Sequence, residues 1–399
     1  MTVEAQPQPS TAAHAPLTFH AAQAAVEALA GVLEQEAVRA DRTATVPRAS
    51  IDALREAGLW SAAIPGEFGG HGFGVEDLTR LGMRLGGHCA ATAMIWAMHQ
   101  LQVACLARSA TEQPVLGDYL RRAAHDQLLI ASVTSEAGIG GSLRTSSAAA
   151  VRLGSVVSFE KQATTVSYGA VADAFLVSLR RDEAAPASDQ VLVLAERGQM
   201  DLEQTGGWNT LGMRGTGSPS FRVRATVPAS QMLDEPFGSI AAQCMVPLSH
   251  VLWAGVWAGV AGDAVRRAAR LTRAKARSAA RAGNTHTDER LGEAYAQLRL
   301  LQGAVHHFAG EYARWDGGED DGSITVRANA LKTSVSVEAS RIVERTLEIC
   351  GMAGYSEDGP YSVARHIRDL YSARLMVSNR QINLANSEML LFGERMFQQ

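Results

Sequence analysis

Val151-Arg152-Leu153-Gly154-Ser155-Val156-Val157-Ser158-Phe159 interrupts a chain that otherwise reads as helix. Its β-branched residues and glycine turn suit a pleated, half-buried surface. Similar short runs follow at Thr164–Val166, Ala174–Leu179, Val191–Leu194 and Phe221–Val227, with Glu183–Asp189 as a hairpin loop. The β texture starts near Leu128 and ends near Leu233. On its N-terminal side the apolar residues Ala22, Val26, Leu29 and Leu33 recur every three or four positions, and a glycine-dense turn at Gly66–Gly74 separates two groups of helices. On its C-terminal side the pattern predicts long helices over Pro247–Ala282, Asp288–Trp315 and Val326–Gly351, with an acidic loop at Asp316–Gly322. The expected organisation is α+β: a disordered leader over 1–18, a helical domain over 19–127, a β-barrel-like domain over 128–237 and a helical bundle over 238–399.

With 399 residues the chain is long enough for two or three domains. Its 37 basic and 41 acidic residues give a net charge of −4, which argues against a nucleic-acid partner because phosphate binding needs clustered positive charge. Only Lys161, Lys275 and Lys332 are lysines. Cys89, Cys105, Cys244 and Cys350 are scattered without a paired spacing, so neither a disulfide framework nor a metal site is expected, and a reducing cytoplasm suits them. The apolar run Met245–Ala261 carries Pro247, Ser249 and His250 and continues into a basic helix; a buried helix accounts for it better than a membrane span.

Four joints between the blocks carry chemistry. They are Ile64-Pro65-Gly66-Glu67-Phe68-Gly69-Gly70; Val133-Thr134-Ser135-Glu136 with Gly138–Ser142; Trp208-Asn209-Thr210-Leu211-Gly212-Met213-Arg214-Gly215-Thr216; and Cys350-Gly351-Met352-Ala353-Gly354-Tyr355 followed by Arg365-His366-Ile367-Arg368-Asp369. Together, in this order, they resemble the joints of the acyl-CoA dehydrogenase superfamily of flavoproteins. The resemblance implies a helical N-terminal domain, a middle β-barrel domain and a C-terminal four-helix bundle. It also implies FAD, and a homodimer or homotetramer in which the C-terminal helices complete a neighbour's FAD site.

Residue by residue, the resemblance places the backbone of Val133 and the Thr134 hydroxyl at the flavin N1/O2 edge, where donors stabilise the negative charge of the reduced ring. Thr165 falls near flavin N5 and Ser142 near the pyrophosphate, beside Gly138, Gly140 and Gly141. Arg277, Glu348, Gly351, Gly354, Asn379 and Gln381 fall on the adenine and pyrophosphate side. The chain departs from the family pattern in several places. Ser135-Glu136 replaces a Glu-Pro pair, no aromatic occurs over Lys161–Thr165, and Met352 stands for a second glycine. The basic run Arg266–Arg281 is either a phosphate-binding face or a solvated helix face. His88 and His99, with Met94, Trp96 and Met98, are candidates for the wall of a substrate cavity.

The largest departure concerns the base. α,β-Dehydrogenation of an acyl thioester requires a carboxylate to remove the α-proton, and the family places a glutamate at one of two positions. These positions hold Val377 and Ser249. Three expectations follow. The first is dehydrogenation of an acyl thioester, on CoA or a carrier protein, with His250 beside Ser249 as a non-standard base. The second is a flavin-dependent monooxygenase of the same fold, to which the small Ala163 leaves room. The third is a catalytically silent flavoprotein.

Overall fold

The computed structural model describes residues 16–138, 143, 145–283, 285–315 and 323–392. Six helices come first: α1 (Phe19–Ala28), α2 (Ala30–Thr43), α3 (Arg48–Glu56), α4 (Val75–Gly86), α5 (Ala90–Ala110) and α6 (Pro114–Asp126). Three of them start where local chemistry favours it. The Thr18 hydroxyl accepts from Ala21 N to cap α1, Glu76 and Asp77 sit in the positive first turn of α4, and Pro114 opens α6. Of the expected leader, residues 1–15 lie outside the described residues, whereas Leu17 N donates to His71 Nδ1 at 3.2 Å.

Seven strands follow: β1 (Ile130–Val133), β2 (Val151–Leu153), β3 (Val156–Ala163), β4 (Ala174–Arg180), β5 (Gln190–Glu196), β6 (Met200–Gln204) and β7 (Phe221–Pro228). One sheet has the order β1-β4-β5, with β1 parallel to β4 and β5 antiparallel; the other is antiparallel in the order β2-β3-β7-β6. Strand β3 alternates, turning Val157, Phe159, Lys161 and Ala163 inward. Lys161 Nζ donates 2.6 Å to the carbonyl of Ser178 on β4, so the two sheets face one another.

Three strand expectations need correction. Val151–Phe159 is two strands around a turn at Gly154, whose φ is 62°. Thr164–Val166 is not a strand, because the chain leaves β3 after Ala163 and Val166 N turns to Pro219 O. Strands β1 and β6 lay outside the expected runs.

The C-terminal part begins with α7 (Phe237–Ile240) and a π turn over Ala241–Met245. Then come α8 (Val246–Arg281), α9 (Glu289–Arg314), α10 (Ser323–Cys350), α11 (Met352–Tyr355), α12 (Ala364–Tyr371) and α13 (Asn379–Phe392). Helix α10 packs on α8, α9 and α13, while α4 and α5 close over α8 from the N-terminal domain. Backbones of α4 and α8 approach closely at glycines: a Cβ on Gly259 would lie 2.0 Å from Met83 O, and one on Gly86 2.4 Å from Val256 O. Helix α5 and the segment Phe237–Arg281 are long and apolar enough to cross a membrane, yet 89% and 94% of their apolar windows are buried inside the fold.

Candidate active site

The ends of β1 and β3 come together through one serine. Ser135 Oγ donates to Thr165 O at 2.7 Å and accepts from Thr165 N at 3.0 Å, and Ala137 N donates to Gln162 O at 3.0 Å. This zipper brings Val133, Thr134 and Thr165 to one edge. Val133 is fully buried, backbone included, and pairs with Val177 of β4, so it lies behind Thr134 rather than open to a ligand. Thr134 is half-buried, 3.4 Å from the Ser132 hydroxyl, and Thr165 is exposed. Ser142, with Gly140 and Gly141, lies outside the described residues.

Below this edge sits an ion pair that sequence reasoning missed. Glu136 and Lys161, with side chains 4% and 0% exposed, stand 3.4 Å apart. Glu136 also accepts from Ser147 N (3.1 Å), Ala148 N (2.8 Å), Ser146 Oγ (2.7 Å) and Ser147 Oγ. Burial works to raise its carboxyl pKa, but the two hydroxyls and Lys161 outweigh it and hold the group below its ordinary value. Burial lowers Lys161 to about 8. The change from a Glu-Pro pair to Ser135-Glu136 therefore has two local consequences: a serine that ties the loops and a carboxylate that anchors them.

The third and fourth joints form one hydrogen-bonded unit. Met213 N donates to Asp369 Oδ1 at 2.6 Å, and Thr216 Oγ1 and Trp208 Nε1 donate to Met213 O at 2.8 and 3.3 Å. Arg214 Nε reaches Asp41 O at 2.6 Å, and Arg368 pairs with the Asp41 carboxylate. Burial pushes the Asp369 carboxyl up to about 6. These residues lock the β domain onto α2 and α12, a structural task that leaves the ligand to the neighbouring loops.

Of the residues expected on the adenine side, three side chains face outward. Arg277, Glu348 and Gln381 are exposed. Gly351 has φ 57° and open space where a Cβ would be, while Gly354 is buried with its would-be Cβ 2.5 Å from Cys350 Cβ. Asn379 differs from its expectation, because both ends of its amide are used inside the chain, on Lys332 Nζ (2.7 Å) and Ser336 Oγ (2.9 Å). Asp263 pairs with the exposed Arg266 at 3.3 Å and with the more buried Arg267 at 2.6 Å, and His366 meets the same carboxylate at 2.9 Å. A polar cavity of about 310 Å³ lies there, lined by Glu27, Arg84, His88 and Arg270 among others.

Neither base position holds a carboxylate. Ser249 is buried and its hydroxyl donates back to Val246 O at 2.8 Å. His250 is 2% exposed and its Nδ1 has no partner. Burial, reinforced by the charge of Lys332, lowers its pKa to about 3, so the imidazole is neutral and sealed against α10. Val377 is partly exposed with φ 45°, and its carbonyl accepts from Lys332 Nζ at 2.7 Å. His99 is also a core residue: Nε2 meets Trp60 O at 2.7 Å, Nδ1 accepts from Ile130 N at 2.9 Å, and burial lowers its pKa to about 4. Met94 and Trp96 are buried beside it. Among the described residues no group of three or more His, Cys, Asp or Glu side chains converges to hold a metal ion.

Comparison with known proteins agrees with the four joints. Residues 20–127 match the acyl-CoA dehydrogenase N-terminal domain and residues 241–387 its C-terminal domain. Cyclohex-1-ene-1-carbonyl-CoA dehydrogenase of Syntrophus aciditrophicus is 25% identical over 374 residues, 89% of this chain and 85% of its own. The amino sugar nitrososynthase DnmZ of Streptomyces peucetius is 27% identical over 369 residues, 86% of each chain. FMN-bound TdsC from Paenibacillus sp. A11-2, a dibenzothiophene monooxygenase, shares the fold with a TM-score of 0.81 and 21% identity over 94% of this chain and 98% of its own.

Proposed function

Because the chain belongs to the acyl-CoA dehydrogenase superfamily, whose members are flavin-dependent oxidoreductases, we propose that it is an FAD-dependent monooxygenase acting on a small molecule. The observation that carries this reading is that neither family base position holds a carboxylate and that His250, beside one of them, is buried. Both positions that would take an α-proton are apolar or self-bonded, and the nearest titratable side chain at the Val377 turn is a lysine, not a carboxylate. An α-proton leaving a thioester needs a proton acceptor in contact with it, and His250 is sealed away from any ligand. The nitrososynthase and monooxygenase relatives support the same reading.

FAD is the cofactor of the family, and the residues present fit a flavin. The Thr134 and Thr165 hydroxyls offer donors to its ring, with the buried Val133 behind them. Arg277, Glu348, Gly351 and Gln381 offer a charged, open surface for the phosphates and adenine, with the buried Gly354 shaping the turn beneath it and Asn379 serving them through the turn it anchors. A bound flavin supplies two-electron transfer and, once reduced, reaction with oxygen. The chain's own part is to donate hydrogen bonds at the ring edge and to position the substrate. Heat-released cofactor is expected to be FAD; release of FMN alone contradicts that assignment. Photoreduced, FAD-loaded protein given a panel of amines and thioethers under ¹⁸O₂ is expected to yield a product carrying one ¹⁸O atom. Oxygen drawn only from water, or a new C=C bond in an acyl thioester, contradicts the proposal.

The second reading is acyl-thioester dehydrogenation, favoured by the cyclohexenecarbonyl-CoA dehydrogenase relative. It then needs a base supplied by substrate or solvent. All four cysteines are buried free thiols, which suits a cytoplasmic protein.

Oligomerisation follows from the same surface. Met352, Tyr355, Leu375, Leu384 and Leu391 are 62–79% exposed and lie close together in sequence over α11 to α13. Family members are oligomeric, and a homodimer or homotetramer would cover these residues. The double variant Leu375→Asp/Leu384→Asp is expected to run as a monomer by light scattering and to lose its FAD. An unchanged assembly would place the interface elsewhere.

A further inference from the structure

Lys332 is fully buried in the middle of α10, and the function proposed above makes no use of it. Its Nζ donates to Val377 O and to Asn379 Oδ1, both at 2.7 Å, and stands 6.0 Å from the centroid of the Trp257 ring. Asn379 closes the clamp by donating to Ser336 Oγ at 2.9 Å, one turn along α10. Among the described residues no carboxylate pairs with Lys332; the titratable group that faces it is His250, on α8. The gripped backbone is unusual. Val377 is β-branched and has φ 45°, a strained conformation that persists only where its surroundings enforce it. A compact ammonium on a flexible stem carries three rotatable donors, enough to meet two acceptors two residues apart while facing an aromatic ring.

We propose that Lys332 is a positioning residue that holds the Val377–Asn379 turn against α10 and thereby sets the start of α13, which carries Gln381. The link from α13 to FAD rests on the flavin reading above; the grip on the turn does not.

The pH dependence of the grip has a definite sign. Burial lowers the Lys332 pKa to about 8, whereas an opened turn restores its ordinary value of 10.5. Between those values the docked turn binds fewer protons than the open one, so docking strengthens as pH rises through that window. The two acceptors remain satisfied there, because a neutral amine still carries two N–H donors.

Hydrogen exchange on the full-length, flavin-free protein tests this. Protection factors at residues 376–382 are expected to fall at least about tenfold in Lys332→Met, with those of α9 unchanged. In wild type the same factors should rise from pH 8 to 10, and in Lys332→Met they should be flat. Asn379→Ala removes one acceptor and should lower protection by a smaller factor; it decides the matter should Lys332→Met not fold. Wild-type protection in either variant, or a flat wild-type profile, overturns the proposal. FAD titration of the same samples separates the two ideas. A turn that opens in Lys332→Met while no form binds flavin leaves the positioning role standing and removes the flavin reading.

Discussion

Glu136→Ala is expected to cost about 3–5 kcal/mol of stability, the range for breaking one side of a buried ion pair. The loss has two sources. Lys161 is left with a buried charge and, among the described residues, Ser178 as its partner, through O at 2.6 Å and Oγ at 3.1 Å. The amides of Ser147 and Ala148 and the hydroxyls of Ser146 and Ser147 lose their shared acceptor. Lys161→Met should cost less, because Glu136 keeps the serine and alanine donors. The double variant should then cost less than the sum of the singles, the signature of a coupled pair. Urea unfolding of the flavin-free protein provides the measurement. A loss below about 1 kcal/mol for Glu136→Ala would mean that the pair does not anchor the loop.

Gly212→Ala is the second large effect. Its Cβ would lie 2.0 Å from Arg368 O, 2.2 Å from Arg368 C and 2.6 Å from Asp369 N. All three are backbone atoms of α12, so no side chain can swing aside. Relief requires α12 to move, and that movement pulls Asp369 Oδ1 away from Met213 N. Overpacking alone typically costs about 1–3 kcal/mol, and the lost hydrogen bond to a buried amide adds to it. We expect a melting temperature lower by several degrees and an FAD site that no longer saturates. Gly303→Ala is the control: nothing lies within 4 Å of its Cβ in the exposed interior of α9, and alanine there should stabilise by about 0.5–1 kcal/mol. Equal melting temperatures for the two variants would contradict the close-packed joint.

The sequence reveals what local pattern controls. The three long C-terminal helices emerge within a few residues of their expected ends, because apolar periodicity and flanking glycines are local signals. The joints are legible as motifs, and the structure explains why the third and fourth occur together: Met213 and Asp369, 156 residues apart, share one hydrogen bond. Strand β6 escapes because only Met200 and Leu202 turn toward the core, while Asp201 and Glu203 face solvent and pair with Arg224 and Arg222 across the strand. Thr164–Val166 misleads in the other direction: β-branched residues suggest a strand, but the Ser135 contact bends the chain there. His250 misleads for a geometric reason. Adjacency to Ser249 in sequence is about 100° of rotation on a helix, enough to turn the imidazole toward α10. Lys332 is nearly invisible from sequence, since its partners lie 45 and 47 residues away; its only signal is that lysine is scarce in this chain.

The central claim is that this flavoprotein fold has given up the α-proton base. Its most direct test is anaerobic mixing of FAD-loaded protein with straight-chain acyl-CoA thioesters while the oxidised flavin band is followed. Loss of a general base typically removes about 10²–10⁴-fold in rate, so the account predicts an unchanged band over the time in which a base-equipped dehydrogenase would bleach it fully. Prompt bleaching with butyryl- or octanoyl-CoA, with no oxygen present, would contradict it.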